Sequence, residues 1–134
     1  MKRVIVAPPG KRYEIIIEKD SFKQFPRLIE SFPSDPLVLI TDANVYPLYG
    51  RQLSAGLTAR GCKVLVQIIP PGESSKTLHQ CELLYSALIE NHISRDAVII
   101  ALGGGVVGDL AGFIAATYVR GIRLIQIPTT LLEI

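Results

Sequence analysis

The residues most able to do chemistry lie in the run Ala97–Gly112, AVIIALGGGVVGDLAG, where an apolar stretch passes straight into Gly103, Gly104 and Gly105. A glycine-rich junction between a strand and a helix suits phosphate. Glycine lets the backbone come close to the anion, while the free N–H groups and the positive end of the helix dipole face it. Gly103, Gly105 and Gly108 reproduce the GxGxxG spacing of dinucleotide-binding turns, and Gly104, Val106 and Val107 fall inside the same turn. The same glycines could instead serve only close packing of helix on strand, and the pattern leaves both readings open. No GxxxxGK[ST] occurs, so a P-loop for nucleoside triphosphates is excluded. Asp109 falls in the first turn of the predicted helix, where it could complement the dipole or meet the ribose or nicotinamide end of a cofactor.

Three other apolar runs also end in polar residues. After Leu37–Ile40 comes Thr41-Asp42-Ala43-Asn44. Asp42 is placed to accept hydrogen bonds from ribose hydroxyls, and Asn44 to cap the next helix, whose first turn tolerates Pro47. After Val64–Ile69 comes Pro70-Pro71-Gly72-Glu73-Ser74-Ser75-Lys76, which reads as a solvated turn with Ser74 or Ser75 as a helix cap. The last run, Leu124–Ile127, leads into Pro128, Thr129 and Thr130. In open parallel sheets ligands bind beyond the carboxyl ends of the strands, so four such ends in succession point to a nucleotide more strongly than any one motif.

The elements that must position these residues follow from periodicity. The four runs are rich in Val, Ile and Leu without alternation, the pattern of parallel strands covered on both faces. Between them, Val45–Arg60 and Thr77–Asn91 carry apolar residues at helical spacing, and Leu110–Val119 is apolar nearly all round, a buried helix ended by Arg120. Strand and helix in alternation give right-handed βαβ units and an α/β, Rossmann-like, mainly parallel sheet with helices on both faces. Arg3–Ala7 and Tyr13–Glu18 flank a Pro-Gly turn and are predicted to pair antiparallel. Ser21–Phe32 is predicted as a short helix capped by Ser21, weakened by Pro26 and ended by Pro33.

Composition excludes other classes. The 134 residues carry 14 Lys+Arg against 12 Asp+Glu, a net charge of +2 with no long basic run, so nothing marks a nucleic-acid partner. Apolar residues make up 49%, enough to offset chain entropy in one domain that buries roughly two-thirds of its unfolded surface. Glycines and Asp109 interrupt the most apolar stretch, and the N-terminus has no secretory h-region, so no membrane span or signal is expected and the cytoplasm is the default. Cys62 and Cys81 read as free thiols. His79 and His92 lack metal spacing and read as surface residues. The chain ends just past a predicted buried strand, which reads as a fragment, one domain over 1–134.

The run ALGGGVVGDLAGFIAATYVRG followed by IQIPTTLL, with ITDANVYPLYG and PPGESSK upstream, resembles the N-terminal domain of the 3-dehydroquinate synthase family along essentially the whole chain. The resemblance implies NAD as cofactor, with zinc or cobalt and most of a sugar-phosphate substrate held by a helical C-terminal half. It also implies a reaction of the shikimate pathway, leading to aromatic amino acids: a substrate hydroxyl is transiently oxidised, phosphate leaves, the hydride returns and the ring closes. By motif position it assigns Asp42, Asn44, Glu73 and Lys76 to the adenosine side of NAD, with Pro71, Gly72, Ser74 and Ser75 of the same loop among the cofactor-binding residues. Gly104, Gly105 and Val106 cradle the pyrophosphate with Asp109 nearby, Val107 and Gly108 count among the cofactor-binding residues, and Thr129 and Thr130 close the site. Arg120 resembles an arginine that reaches the substrate phosphate across a homodimer interface. No position here matches the family's metal ligands or catalytic residues, so the chain alone is expected to bind NAD weakly, self-associate through exposed apolar surface and catalyse nothing. The alternatives are a related sugar-phosphate cyclase making an inosose or valiolone, and a non-catalytic nucleotide-binding module; iron-dependent alcohol dehydrogenases fit the motifs poorly.

Overall fold

The computed structural model describes residues 2–28 and 36–130, which cluster as two compact units, 1–32 and 33–134. In the first, strands β1 (Lys2–Val6) and β2 (Tyr13–Ile17) pair antiparallel, Lys2 opposite Ile17 and Val6 opposite Tyr13. The intervening Pro-Gly turn is closed by Lys11 N–H donating to the Pro8 carbonyl at 3.0 Å. Helix α1 (Ser21–Leu28) follows, with Ser21 as its first helical residue rather than its cap and Pro26 inside it. The predicted extension of this helix to Phe32, and its stop at Pro33, lie outside the described residues.

In the second unit, β3 (Leu37–Asp42), β4 (Val64–Ile69), β5 (Val98–Gly103) and β6 (Arg123–Pro128) form one parallel sheet in the order β4-β3-β5-β6. β3 and β5 run one or two residues past their apolar stretches, so Asp42 and Gly103 are the last residues of strands rather than the first of loops. Both central strands are buried on both faces, save for the half-buried Asp42. The edge strands are not. β4 and β6 each have one neighbour, and Ile68 is 47% exposed, so the expectation of four equally buried strands holds only for the middle two.

The chain steps from β3 out to β4 and then back past β3 to β5. Right-handed crossovers in opposite directions put their helices on opposite faces. Helix α2 (Arg51–Ala59), entered through a π-turn at Tyr46–Gly50, brings buried Leu53 and Leu57 to one face. On the other, α3 (Leu78–Glu90) and α4 (Gly105–Thr117) bury Cys81, Leu84, Leu88, Leu110 and Ile114 against Val38, Ile40, Ile99 and Ala101. Each fully buried Leu or Ile contributes about 1.5–3 kcal/mol, so this layer holds the unit together.

Several local predictions change. Thr77, not Ser74 or Ser75, caps α3, its side chain accepting from Gln80 N–H at 3.1 Å. α3 ends in a Schellman turn: Ile93 N–H bonds Leu88 O, His92 N–H bonds Ile89 O, and His92 takes the left-handed position at φ 54°. α4 stops at Thr117, two residues early, and is not apolar-buried all round, since Phe113 is 48% exposed. Cys62 and Cys81 are free thiols, and burial pushes the Cys81 thiol up.

Candidate functional site: the carboxyl edge of the sheet

Sheet order places the four strand ends side by side. Along the carboxyl edge lie the β4 loop (residues 70–76), the β3 end at Asp42, the β5 end at Gly103 and the β6 end at Pro128. The chain leaves β3 and β5 towards opposite faces, so a crevice opens between their ends, the topological switch point of an open α/β sheet.

At β5 the glycines are required by space. A Cβ on Gly103 would lie 2.7 Å from Cγ2 and 2.8 Å from Cβ of Val107, and one on Gly104 would lie 3.1 Å from Cγ2 of Thr130. Neither glycine has a positive φ, so the packing reading of the motif is correct for Gly103. The next residues carry the free amides of the turn. Gly108 N–H donates to Gly104 O at 3.0 Å, the first bond of α4, and Gly104 offers no side-chain cap. The amides of Gly105, Val106 and Val107 therefore start the helix without an intrahelical acceptor, at the positive end of its dipole. Val107 and Gly108 are themselves buried, so they support this turn from beneath. Thr129 N–H donates to Gly103 O at 2.9 Å, which lays the exposed Thr129 and Thr130 directly against it.

At β3 the side chain does the work. Asp42 Oδ1 accepts from Asn44 N–H and Val45 N–H, both at 2.8 Å, so Asp42 rather than Asn44 satisfies the start of the following turn. Its second oxygen, Oδ2, has no partner among the described residues, and Asn44 is exposed. In the β4 loop Pro71, Gly72, Glu73, Ser74 and Lys76 are exposed, whereas Ser75 is buried and donates its hydroxyl to the Pro70 carbonyl at 2.5 Å. Ser75 thus closes the loop on itself.

One contact has no trace in the local sequence. Lys76 Nζ lies 2.5 Å from Asp109 Oδ2 and 3.9 Å from Glu73 Oε2, joining the β4 loop to α4. Asp109 sits one turn into α4 rather than in its first turn. Both partners of the short pair are about half exposed, so the pair adds little stability and matters for what it joins.

Arg120 is elsewhere. It precedes Arg123, which pairs with Val98 at the amino ends of β6 and β5, whereas Gly103 pairs with Pro128 at the carboxyl edge. The two edges are separated by a six-residue strand, roughly 20 Å. Among the described residues no group of three His, Cys, Asp or Glu could hold a metal ion, and no helix is long and apolar enough to cross a membrane.

Residues 66–134 match the family model described as 3-dehydroquinate synthase N-terminal, which is just over half of the chain. The chain belongs to this family. It is 47% identical over 133 residues to a 3-dehydroquinate synthase of Caldanaerobacter subterraneus, covering 98% of this chain and 37% of that one. It is 54% identical over 95 residues to that of Symbiobacterium thermophilum, covering 71% and 26%. Among solved structures, 2-epi-5-epi-valiolone synthase from Streptomyces hygroscopicus, with NAD+ and Zn2+ bound, superposes with a TM-score of 0.80 at 28% identity, covering 97% of this chain and 36% of that one. A 2-deoxy-scyllo-inosose synthase superposes at 0.86 with 24% identity, covering 98% and 37%, which bears on the fold alone. The chain spans between about a quarter and little more than a third of the length of these relatives.

Proposed function

We propose that this chain is the dinucleotide-binding part of a 3-dehydroquinate synthase. The whole protein would convert 3-deoxy-D-arabino-heptulosonate 7-phosphate to 3-dehydroquinate and phosphate. The observation that carries the reading is the crevice between the ends of β3 and β5, where adjacent strand ends of one sheet bring the helix-start amides of Gly105 and Val106 and the Asp42 carboxylate to the same edge. Those features fit NAD. Gly105 and Val106 would donate backbone N–H groups to its pyrophosphate, and Asp42 Oδ2 would accept from a ribose hydroxyl. Thr129 and Thr130 would wall the site on the β6 side, and Asn44, Glu73, Lys76 and Asp109 on the other. When bound, NAD supplies a hydride acceptor that is restored by the end of a turnover.

The chain's own residues then bind and orient. Gly104 keeps the β5 turn low enough for Thr130 to approach. Asp42 holds its own turn with one oxygen and presents the other. The Lys76–Asp109 pair ties the two walls together. Zinc or cobalt belongs to the whole-protein reading, and none of its ligands is assigned here. Arg120, at the far edge, would serve a phosphate held by a second copy, which makes the working form a homodimer; a cytoplasmic enzyme is the setting proposed.

Titration calorimetry of the full-length protein tests the cofactor reading. NAD should bind saturably, and Gly105→Val or Asp42→Ala should each weaken it by at least tenfold. Unchanged affinity in both variants would remove the crevice from the account. Turnover of the heptulosonate phosphate, set beside sugar phosphates that yield an inosose or valiolone, separates the proposed substrate from those of the related cyclases.

A further inference from the structure

Among the described residues, only Val119 and Arg120 are consecutive non-glycine residues with positive φ, at 43° and 69°. They follow the end of α4 and precede Gly121 at φ 109°. For a β-branched residue the left-handed region is a true outlier, because Cβ crowds the following carbonyl. Nothing about Val119 itself offsets that strain, since it is 45% exposed. The neighbours impose it. Tyr118 is buried and its hydroxyl donates to the Ile93 carbonyl at 2.7 Å, which pins the near side of the turn. Gly121 N–H bonds Tyr118 O at 2.8 Å and Ile122 N–H bonds Ala115 O at 2.7 Å, which pin the far side. Asn or Gly at position 119 would relieve the backbone at the cost of only the covered half of the valine surface.

Strained residues persist where the surroundings over-determine them, and they gather at ligand clamps. Here the residue whose direction the strain fixes is Arg120, exposed at the amino edge of the sheet. We propose that Val119 is a positioning residue: its left-handed backbone fixes the stem of Arg120 so that the guanidinium meets a substrate phosphate already oriented. This rests on the proposed role of Arg120. A long side chain on a loose turn loses freedom when it grips a phosphate, whereas a turn with one conformation has given up part of that freedom beforehand.

The test uses the full-length protein and three variants, read by KM and kcat for the phosphorylated substrate, competition by inorganic phosphate, and Tm. Arg120→Ala should raise KM at least tenfold. Val119→Gly, which opens both signs of φ, should raise KM and weaken phosphate competition by about threefold to tenfold, the cost of ordering one side chain. Its kcat should stay within twofold and its Tm should hold or rise. Val119→Asn, at ease in the left-handed region but still confined by a Cβ, should restore KM to within twofold of the parent. An intact KM in Val119→Gly beside an impaired Arg120→Ala overturns the positioning role and leaves Arg120 in place. An unaffected Arg120→Ala overturns both. Equal impairment in the Gly and Asn variants assigns the effect to the valine side chain, and unfolding of Val119→Gly denies the strain; either result overturns the inference.

Discussion

β3 and β5 are neighbours, both central, both parallel and both packed on two faces, yet they end in opposite ways. β3 ends in Thr41 and Asp42, and its turn is held by a side chain that accepts two backbone amides. β5 ends in Gly103, with Gly104 next, and its turn is held by the absence of side chains, with Val107 and Thr130 filling the space. One strand end presents a carboxylate and the other presents bare N–H groups. A dinucleotide needs both, an acceptor for ribose hydroxyls and donors for phosphate. Two strands with the same packing can therefore serve unlike halves of one ligand, because only the last residue or two of each is released from the core.

The contrast can be broken most severely at β5. Gly103→Ala puts a methyl group into the root of Val107, and denaturant unfolding should show a loss of about 3 kcal/mol. A variant as stable as the parent would mean that the close approach is not required. At β3 the matching change is milder. Asp42→Ala removes the acceptor of two amides and should cost about 1–2 kcal/mol. Asp42→Asn keeps the Oδ1 acceptor, so its stability should fall by less than about 0.5 kcal/mol while NAD binding still weakens. That pair of variants separates the capping oxygen from the one offered to ligand.

A smaller effect of opposite sign is expected one residue earlier. Thr41 is fully buried and its Oγ1 is the only buried side-chain polar atom without a partner among the described residues. Thr41→Val removes that atom and keeps the shape, so the melting temperature should rise, by the equivalent of up to about 1 kcal/mol.

The smallest effect is alkaline. Burial raises both the Tyr118 hydroxyl and the Cys81 thiol, so the fold favours their neutral forms. Stability from these groups is complete below their unfolded values, about 8.5 for thiol and 10 for phenol, and is lost as pH climbs past them. Melting curves should be flat from about pH 7 to 8 and decline above it, and Cys81→Ala should flatten the early part of the decline.

Much of this was legible in the sequence. The four strands, their parallel sense and the helices between them follow from unbroken Val/Ile runs alternating with helical spacing. The strand ends that meet at the edge were marked by Asp42, Glu73, Gly104 and Thr129. What was not legible depends on partners distant in the chain. Spacing leaves Gly103 open between phosphate binding and packing, and only the contact with Val107 decides for packing. Ser75 reads as a cap or a ligand until the Pro70 carbonyl takes its hydroxyl. The Lys76–Asp109 pair joins two loops that no local pattern relates. The equal burial expected of all four strands failed because hydropathy does not say which strand will be an edge. Arg120 follows the glycine motif by only a dozen residues, and no local pattern shows that a full strand length separates the two in space.

The most direct test of the crevice is NAD titrated into the ¹⁵N-labelled protein, with amide shifts followed residue by residue. The largest saturable shifts should fall on Gly105, Val106 and Val107, with smaller ones at Asn44 and Thr130, and none at Arg95 or Arg123 on the amino edge. Shifts centred on the amino edge, or an undisturbed start of α4 at saturating NAD, would contradict the account.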